Sequence, residues 1–491
     1  MTSKPRRLHP AAILFFFNKD IKNLFIPVAI FAFAVFQQAK TWTIIGLIAF
    51  FILVVAGDVV RYMTFSYQFF DKEILVHKGI FIKKVNHIPY DRIQNVTTNQ
   101  WFFLKPFKLE ELEIETAGHS EGPEVSLVAV PVELKDELNS YRHRFSSEVT
   151  QNVSRETFSE GSKTKQSLEA TNVLSYSITW RELIKFALTS PAFLSGLLVV
   201  LAIYGKVQNG ISNQMYKVAA NEFAQFGWVL LVVVMIVIVL LFYVLSVFAL
   251  IAKYYHFHLT KENGQFEMRY GFFKTKRTNI SESRIQAVVV KQTLLRSFLH
   301  ISSVKLVIIS NSNKEETEKD IIVMPVIETA KLNDFFKKFF PHIPVEELKQ
   351  SQSVSGTFYY DLRNAAIFSL VIDLVVGMLF YRISWLLVLL LIAVSAVILL
   401  MPAYLNARRA RLSIMNGQYL FLQNNQVTSK NSYFVPKNSI QLVERRQSIW
   451  LSKKKFAHIR LSCRSGIAER ILQVKYLPEQ QVDGVVEWYK K

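Results

Sequence analysis

Apolar residues gather along the chain in three pairs of long runs, each close to the roughly 20 residues that an α-helix needs to cross a hydrocarbon core about 30 Å thick. Leu24 to Phe36 with its flanks and Trp42 to Val60 are separated only by Gln37-Gln38-Ala39-Lys40-Thr41, too short for anything but a turn. Ile184 to Tyr204 and Gly227 to Ala252 join through a polar stretch around Asn209-Gly210, and Ala365 to Tyr381 and Trp385 to Tyr404 join at Arg382. Open strands would leave backbone groups unpaired in lipid, so the pattern predicts six transmembrane helices in three hairpins. Met1 to Lys22 is basic and runs through Phe15-Phe16-Phe17 into the first apolar run without a small-residue cleavage site. It is expected to stay as part of the first helix.

After each pair the period changes to two. Leu112-Glu113-Ile114-Glu115 and Val304-Lys305-Leu306-Val307 alternate as half-buried antiparallel strands do. The segments also repeat. Gly79-Ile80-Phe81, Ile88-Pro89 and Arg92-Ile93-Gln94 return as Gly271-Phe272-Phe273, Ile280-Ser281 and Arg284-Ile285-Gln286, with 14 positions from glycine to isoleucine in both. A diverged third copy keeps Val435-Pro436 and Ile440-Gln441, with Gln426 in the glycine's place. Each copy closes on a proline and a helical pattern: Pro131 before Val132 to Tyr141, Pro325 before Val326 to Phe340, and Pro478 before Glu479 to Tyr489. Proline at a first helical turn loses no hydrogen bond.

The reading is an α+β membrane protein. Residues 1–60, 176–252 and 358–406 hold the hairpins with their leading segments, and 61–145, 253–341 and 407–491 are β-sheet units closed by a C-terminal helix. The linkers 146–175 and 342–357 are polar, and the stretches Ser146 to Ala170 and His342 to Gly356 are expected to be disordered. Tyr176 to Arg181 and Phe358 to Arg363 mix aromatic and basic residues as headgroup-level segments do.

Charge orients this arrangement. The net charge is +20, and basic residues sit before the first run and after each even-numbered one, at Arg61, Lys253 and Arg408-Arg409-Ala410-Arg411. The positive-inside rule then places both termini and every soluble unit in the cytoplasm, beside anionic lipid. No nucleic-acid module is present in the sequence to claim that charge. Cys463, the single cysteine, excludes an intramolecular disulfide and reads as a small core hydrophobe.

Two transmembrane helices followed by G-x-F, I-P and R-I-Q, then strands and a closing helix, resemble the bacterial pleckstrin-homology (PH) membrane proteins, and three such units in one chain resemble the family's three-unit members. The resemblance implies a PH-like fold in each unit, with a bent antiparallel sheet and one closing helix, and no known catalysis. It also implies a link to envelope stress and tolerance of antimicrobial peptides, with a smaller one-unit PH-like membrane protein, or self-association, as the partner. The third unit lacks both the glycine and the arginine.

Searching for reactive groups finds no H-E-x-x-H, no paired-cysteine spacing and no G-x-S-x-G, so no enzyme, cofactor or metal is expected. Gly161-Ser162-Lys163-Thr164 lacks the upstream glycine and strand of a phosphate loop, and His256 and His258 read as strand surface without a third ligand. The candidate lipid- or partner-binding residues are Lys83, Lys84 and Arg92 in the first unit, Lys274, Lys276, Arg277 and Arg284 in the second, and Arg445, Arg446, Lys453, Lys454 and Lys455 in the third. In a PH-like fold the early hairpin loops rim the open end of the barrel, where such lysines would meet anionic headgroups. Asp373, flanked by Val371-Ile372 and Leu374-Val375, lies near the middle of its span, so it is expected to be neutral, paired or functional. The expectation is a non-enzymatic assembly protein of the bacterial cytoplasmic membrane, with an exporter or flippase of an amphipathic peptide or lipid as the alternative.

Overall fold

The computed structural model describes residues 4–20, 41–79, 82–116, 124–155, 173–190, 236–308, 320–350, 357–380, 385–426, 429–465 and 468–491, together with 23 and 233. The first run, Leu24 to Phe36, most of Ile184 to Tyr204, the start of the run from Gly227, the Asn209-Gly210 and Arg382 turns and the Gly161 to Thr164 motif lie outside them. The chain divides into two compact units. One is Met1–Thr171 with Ser190–His258 and Glu267–Asn279, and the other is Asn172–Thr189 with Leu259–Phe266 and Ile280–Lys491.

In the first of these, Arg6–Arg7, Ser66–Phe69, Glu73–Lys78 and Lys84–Pro89 form a four-stranded antiparallel sheet in that order. A 3-10 turn, Tyr90–Arg92, leads into Ile93–Trp101, which pairs with Leu109–Thr116 and through it with Val125–Pro131. Period-two alternation turns Tyr67, Phe69, Ile74 and Val76 inward against Leu112, Ile114 and Leu127. Leu134 and Leu138 of the helix Leu134–Arg155 close the core. Each such side chain contributes about 1.5–3 kcal/mol when removed from water.

The second compact unit repeats the plan. Ile285–Thr293, Ile301–Ile308 and Ile321–Glu328 are followed by the helix Leu332–Phe339, whose Phe335, Phe336 and Phe339 are buried. Phe266 stacks on Phe340 and Phe339 there. Arg411–Met415, Tyr419–Gln426 and Ser429–Pro436, then Ile440–Arg446, Phe456–Ser465 and Ala468–Pro478, make the last copy, closed by Glu479–Lys490 through Val482 and Val485. Cys463 is fully buried, and burial pushes its thiol up to about 12, as suits a core hydrophobe.

Several local expectations are corrected. Pro325 lies inside Ile321–Glu328, at a register break where a ladder N–H is not needed, and its carbonyl accepts from Ser303 Oγ at 2.6 Å. Glu328, paired with Ile301, therefore stands where Pro131 and Pro478 stand in the other copies. The closing helix of the first copy runs to Arg155, into the stretch expected to be disordered, because neither Gly nor Pro stops it. Likewise Val345–Gln350 is a 3-10 helix, held by Glu347, which accepts from the Asn416 N–H. His256 sits in a turn at φ 47°, not on a strand beside His258. Where the third copy lacks its glycine, the strand before the turn runs on to Gln426, which pairs with Ser429.

Helices cover Thr41–Thr64, Thr357–Phe380 and Trp385–Arg409. Among the described residues, two helical stretches are long and apolar enough to cross a membrane, Ile236–Lys253 and Val388–Arg409.

Candidate functional site

The strand that carries Lys274, Lys276 and Arg277 joins one repeat to the next. Lys274–Thr278 lies antiparallel to Thr97–Trp101, pairing Lys274 with Trp101 and Lys276 with Asn99. Lys274 Nζ stands 4.9 Å from the centre of a Trp101 ring and 3.8 Å from Glu111, while Arg277 bonds Glu267 at 3.0 Å. The next turn extends the joint, with Phe102 N–H donating to Phe273 O at 2.8 Å. Lys274 thus meets a carboxylate of Leu109–Thr116, the strand beyond Thr97–Trp101, and Arg277 meets Glu267, with both basic side chains half-buried.

A second joint of the same kind exists. Val288–Thr293 pairs antiparallel with Ser429–Phe434, and Ala287, Val289 and Val307 share one core with Leu420, Leu422 and Tyr433. The register is identical. Trp101 and Thr293 each stand eight positions after the isoleucine of Ile-Gln, and their partners Lys274 and Ser429 each stand eleven before the next such isoleucine.

Glu110 is buried at the first joint, and desolvation pushes its carboxyl up to about 7 despite Lys135, Arg277 and a bond from Thr98. From its ordinary value of 4.5 up to that point the folded protein holds a proton that the unfolded chain has released, so stability falls as pH rises through the window. Glu110→Gln is expected to flatten the dependence of the unfolding midpoint on pH between about 4.5 and 7. An unchanged slope would assign the titration to another group.

The remaining candidates divide by surroundings. Lys83, Lys84 and Arg92 are exposed. Arg92 and Arg284 end matching 3-10 turns, and Ser439 fills that place in the third copy's turn, Lys437–Ser439, so the turn forms without arginine. Arg445 clamps the closing helix, donating to Asp483 at 2.6 Å and to Glu479, and Arg446 donates to Glu444 at 2.7 Å. Lys453, Lys454 and Lys455 are exposed, and they follow a tip the sequence reading passed over: Ile449 and Trp450 are 79% and 80% exposed. The same turn shows Phe102 in the first copy and Leu295 and Phe298 in the second, so a signal was present as aromatic and aliphatic residues just after Gln100, Gln292 and Gln447.

One helix adds to this apolar surface. Trp180–Leu188 begins with a capping box between Thr179 and Glu182, buries Leu183, Phe186 and Ala187, and exposes Trp180, Ile184 and Leu188 along one stripe. Buried Arg296 holds it, lying 4.3 Å over Phe186 and donating to Ser303 at 2.8 Å and Thr189 at 3.4 Å. Between Thr357–Phe380 and Trp385–Arg409, Asp373 accepts from Ser369 Oγ at 3.1 Å and from Ser395 Oγ. Its two oxygens are thus both engaged by hydroxyls, one of them across the hairpin.

Three copies of an antiparallel β unit closed by a helix define a class. The chain belongs to the bacterial PH domain family, whose model matches residues 23–142, 214–337 and 367–491. It is similar over its whole length to the UPF0699 transmembrane protein YdbT of Bacillus subtilis (strain 168), with 25% identity over 500 residues, covering 100% of this chain and 99% of the relative. It is therefore a YdbT-like bacterial PH protein.

Proposed function

We propose that the protein is a non-enzymatic scaffold of the bacterial cytoplasmic membrane, with six transmembrane helices in three hairpins and its PH-like units and both termini in the cytoplasm. The observation that carries this reading is the repeated strand joint, which fixes consecutive units edge to edge in one register. Such a joint makes a continuous protein surface and offers no reactive cluster. Exposed Ile449, Trp450 and Lys453 to Lys455 suit a leaflet of anionic lipid, the apolar tip entering and the lysines meeting headgroups. The biological role we assign is envelope stress defence, including tolerance of antimicrobial peptides. Ser369 and Ser395 give Asp373 hydroxyl partners on its own helix and across the hairpin, which suits a carboxyl that ties two helices together.

The test measures tolerance of a cationic antimicrobial peptide in cells that carry only a variant copy, at matched membrane abundance. Lys274→Glu with Arg277→Glu sets carboxylates against Glu111 and Glu267 and is expected to abolish tolerance, since like charges facing each other across strands repel. Asp373→Asn keeps the shape and is expected to retain most of it, because hydrogen bonds between membrane helices average about 0.6 kcal/mol. The opposite pair of results would sink the scaffold and promote the exporter.

A further inference from the structure

Each repeat contains one strand that serves as the entering half of a joint. In the second and third copies these are Lys274–Ser281 and Ser429–Pro436, and each is hydrogen-bonded on its outer edge to the preceding copy. In the first copy the counterpart is Lys84–Pro89, which among the described strands pairs only with Glu73–Lys78. At the other end of the chain the receiving strand Ile440–Arg446 pairs, among the described strands, only with Phe456–Ser465. The exposure agrees with open edges. Val85 is 45% exposed, and Leu442 is 49% exposed where its counterpart in the second copy, Ala287, is 1% exposed. An open strand edge is a template for another chain.

Charge decides which chain. The first copy's edge is basic: Lys78 and Lys84 are direct cross-strand partners, with Lys83 beside them. Burial, with Lys84 next in effect, holds Lys78 below its ordinary value. At the interior joint the corresponding basic strand meets Asn99 and Glu111. A second copy of this protein would instead present Ile440–Arg446, which in the same register sets Lys84 opposite Arg446. Behind it, His458 and Arg460 replace Glu111 and Glu113. That pairing sets like charges directly opposite each other, and Glu444, the carboxylate on that strand, is already engaged by Arg446 and Arg460.

Building on the scaffold reading, we propose that the Lys84–Pro89 edge receives a different polypeptide, one with a PH-like unit whose receiving strand is neutral and whose next strand is rich in carboxylates, as Leu109–Thr116 is. The interior register places Val85 opposite the position that Thr98 holds in the first copy, so backbone ladder bonds supply adhesion and the carboxylates supply selection.

The test replaces Val85 with p-benzoyl-phenylalanine in the full-length protein in its native membranes and maps the photo-adduct by mass spectrometry. The expected adduct is on another polypeptide, on the strand that follows that chain's own Ile-Gln segment, and Lys83→Glu with Lys84→Glu lowers its yield about fivefold. An adduct to the protein itself whose yield rises on that charge reversal identifies a second copy and overturns the proposal, as does an adduct to lipid alone or none. A control with cysteines at Lys276 and Asn99, in a Cys463→Ser background with a short dithiol-reactive linker, reads the interior joint. If it too fails to cross-link, the scaffold reading falls; if it cross-links while position 85 does not, only the partner is lost.

Discussion

Phe434→Ala is expected to lower the thermal unfolding midpoint of the purified protein by more than about 10 °C. The ring is 2% exposed, 5.3 Å from Phe421 within its own repeat and 5.2 Å from Phe336 on the closing helix of the preceding one. Its backbone pairs with Val288 across the joint. Truncating a buried phenylalanine costs about 3–5 kcal/mol, and in a domain of about 100 residues each kcal/mol moves the midpoint by about 4–8 °C. Because the cavity opens between two repeats, the loss falls on the joint and on both sheets together. Phe298→Ala, at a 76% exposed tip, should leave the midpoint almost unmoved. Dye-monitored unfolding in detergent distinguishes the two, and a shift of only a few degrees for Phe434→Ala would mean that the ring does not tie the repeats.

The repeats were legible because a glycine, a proline and Ile-Gln recur at fixed spacing, and because period-two alternation is a local property of each strand. The joints were not, since edge pairing uses backbone groups that every strand possesses. Side chains left only a faint trace of it, basic Lys274, Lys276 and Arg277 in one repeat against Glu110, Glu111 and Glu113 in another, more than a hundred and fifty positions away. Read alone, those lysines looked like headgroup ligands. Asp373 shows the same division. Its depth in an apolar run and Ser369, one turn before it, can be read along the chain, whereas Ser395 becomes its partner only through the packing of two helices. Pro325 misled for a different reason: proline punctuates both helix starts and strand irregularities, and only the register break at Ser302 and Val304 separates the two.

Gly271→Ala is expected to cost about 3 kcal/mol or more, since a residue with a side chain would have to hold a backbone region that only glycine occupies readily. Its φ is +117°, and an added Cβ would lie 2.1 Å from the Lys274 carbonyl oxygen, so the backbone itself must move. That backbone is tied on both sides. Gly271 N–H donates to Tyr255 O at 2.8 Å, Phe272 N–H donates to Ala252 O at 2.9 Å, and Lys274 begins the strand of the joint. Shifting the turn therefore strains the end of the apolar helix and the first rungs of the ladder at once. Gly79 has the same geometry, at φ +114° with 2.0 Å to the Ile82 oxygen, which is why glycine recurs there. The third copy has no glycine to keep: its strand runs on to Gln426, in the glycine's place, and pairs there with Ser429. A glycine without these constraints gives the contrast: Gly484 lies inside the helix Glu479–Lys490 with nothing within 4 Å of an added Cβ, so Gly484→Ala should stabilise by about 1 kcal/mol. Thermal midpoints of the two variants, measured side by side, should move in opposite directions. A Gly271→Ala protein that unfolds like the parent, with its Lys276–Asn99 cross-link intact, would show that the turn relaxes freely and that the joint does not depend on it.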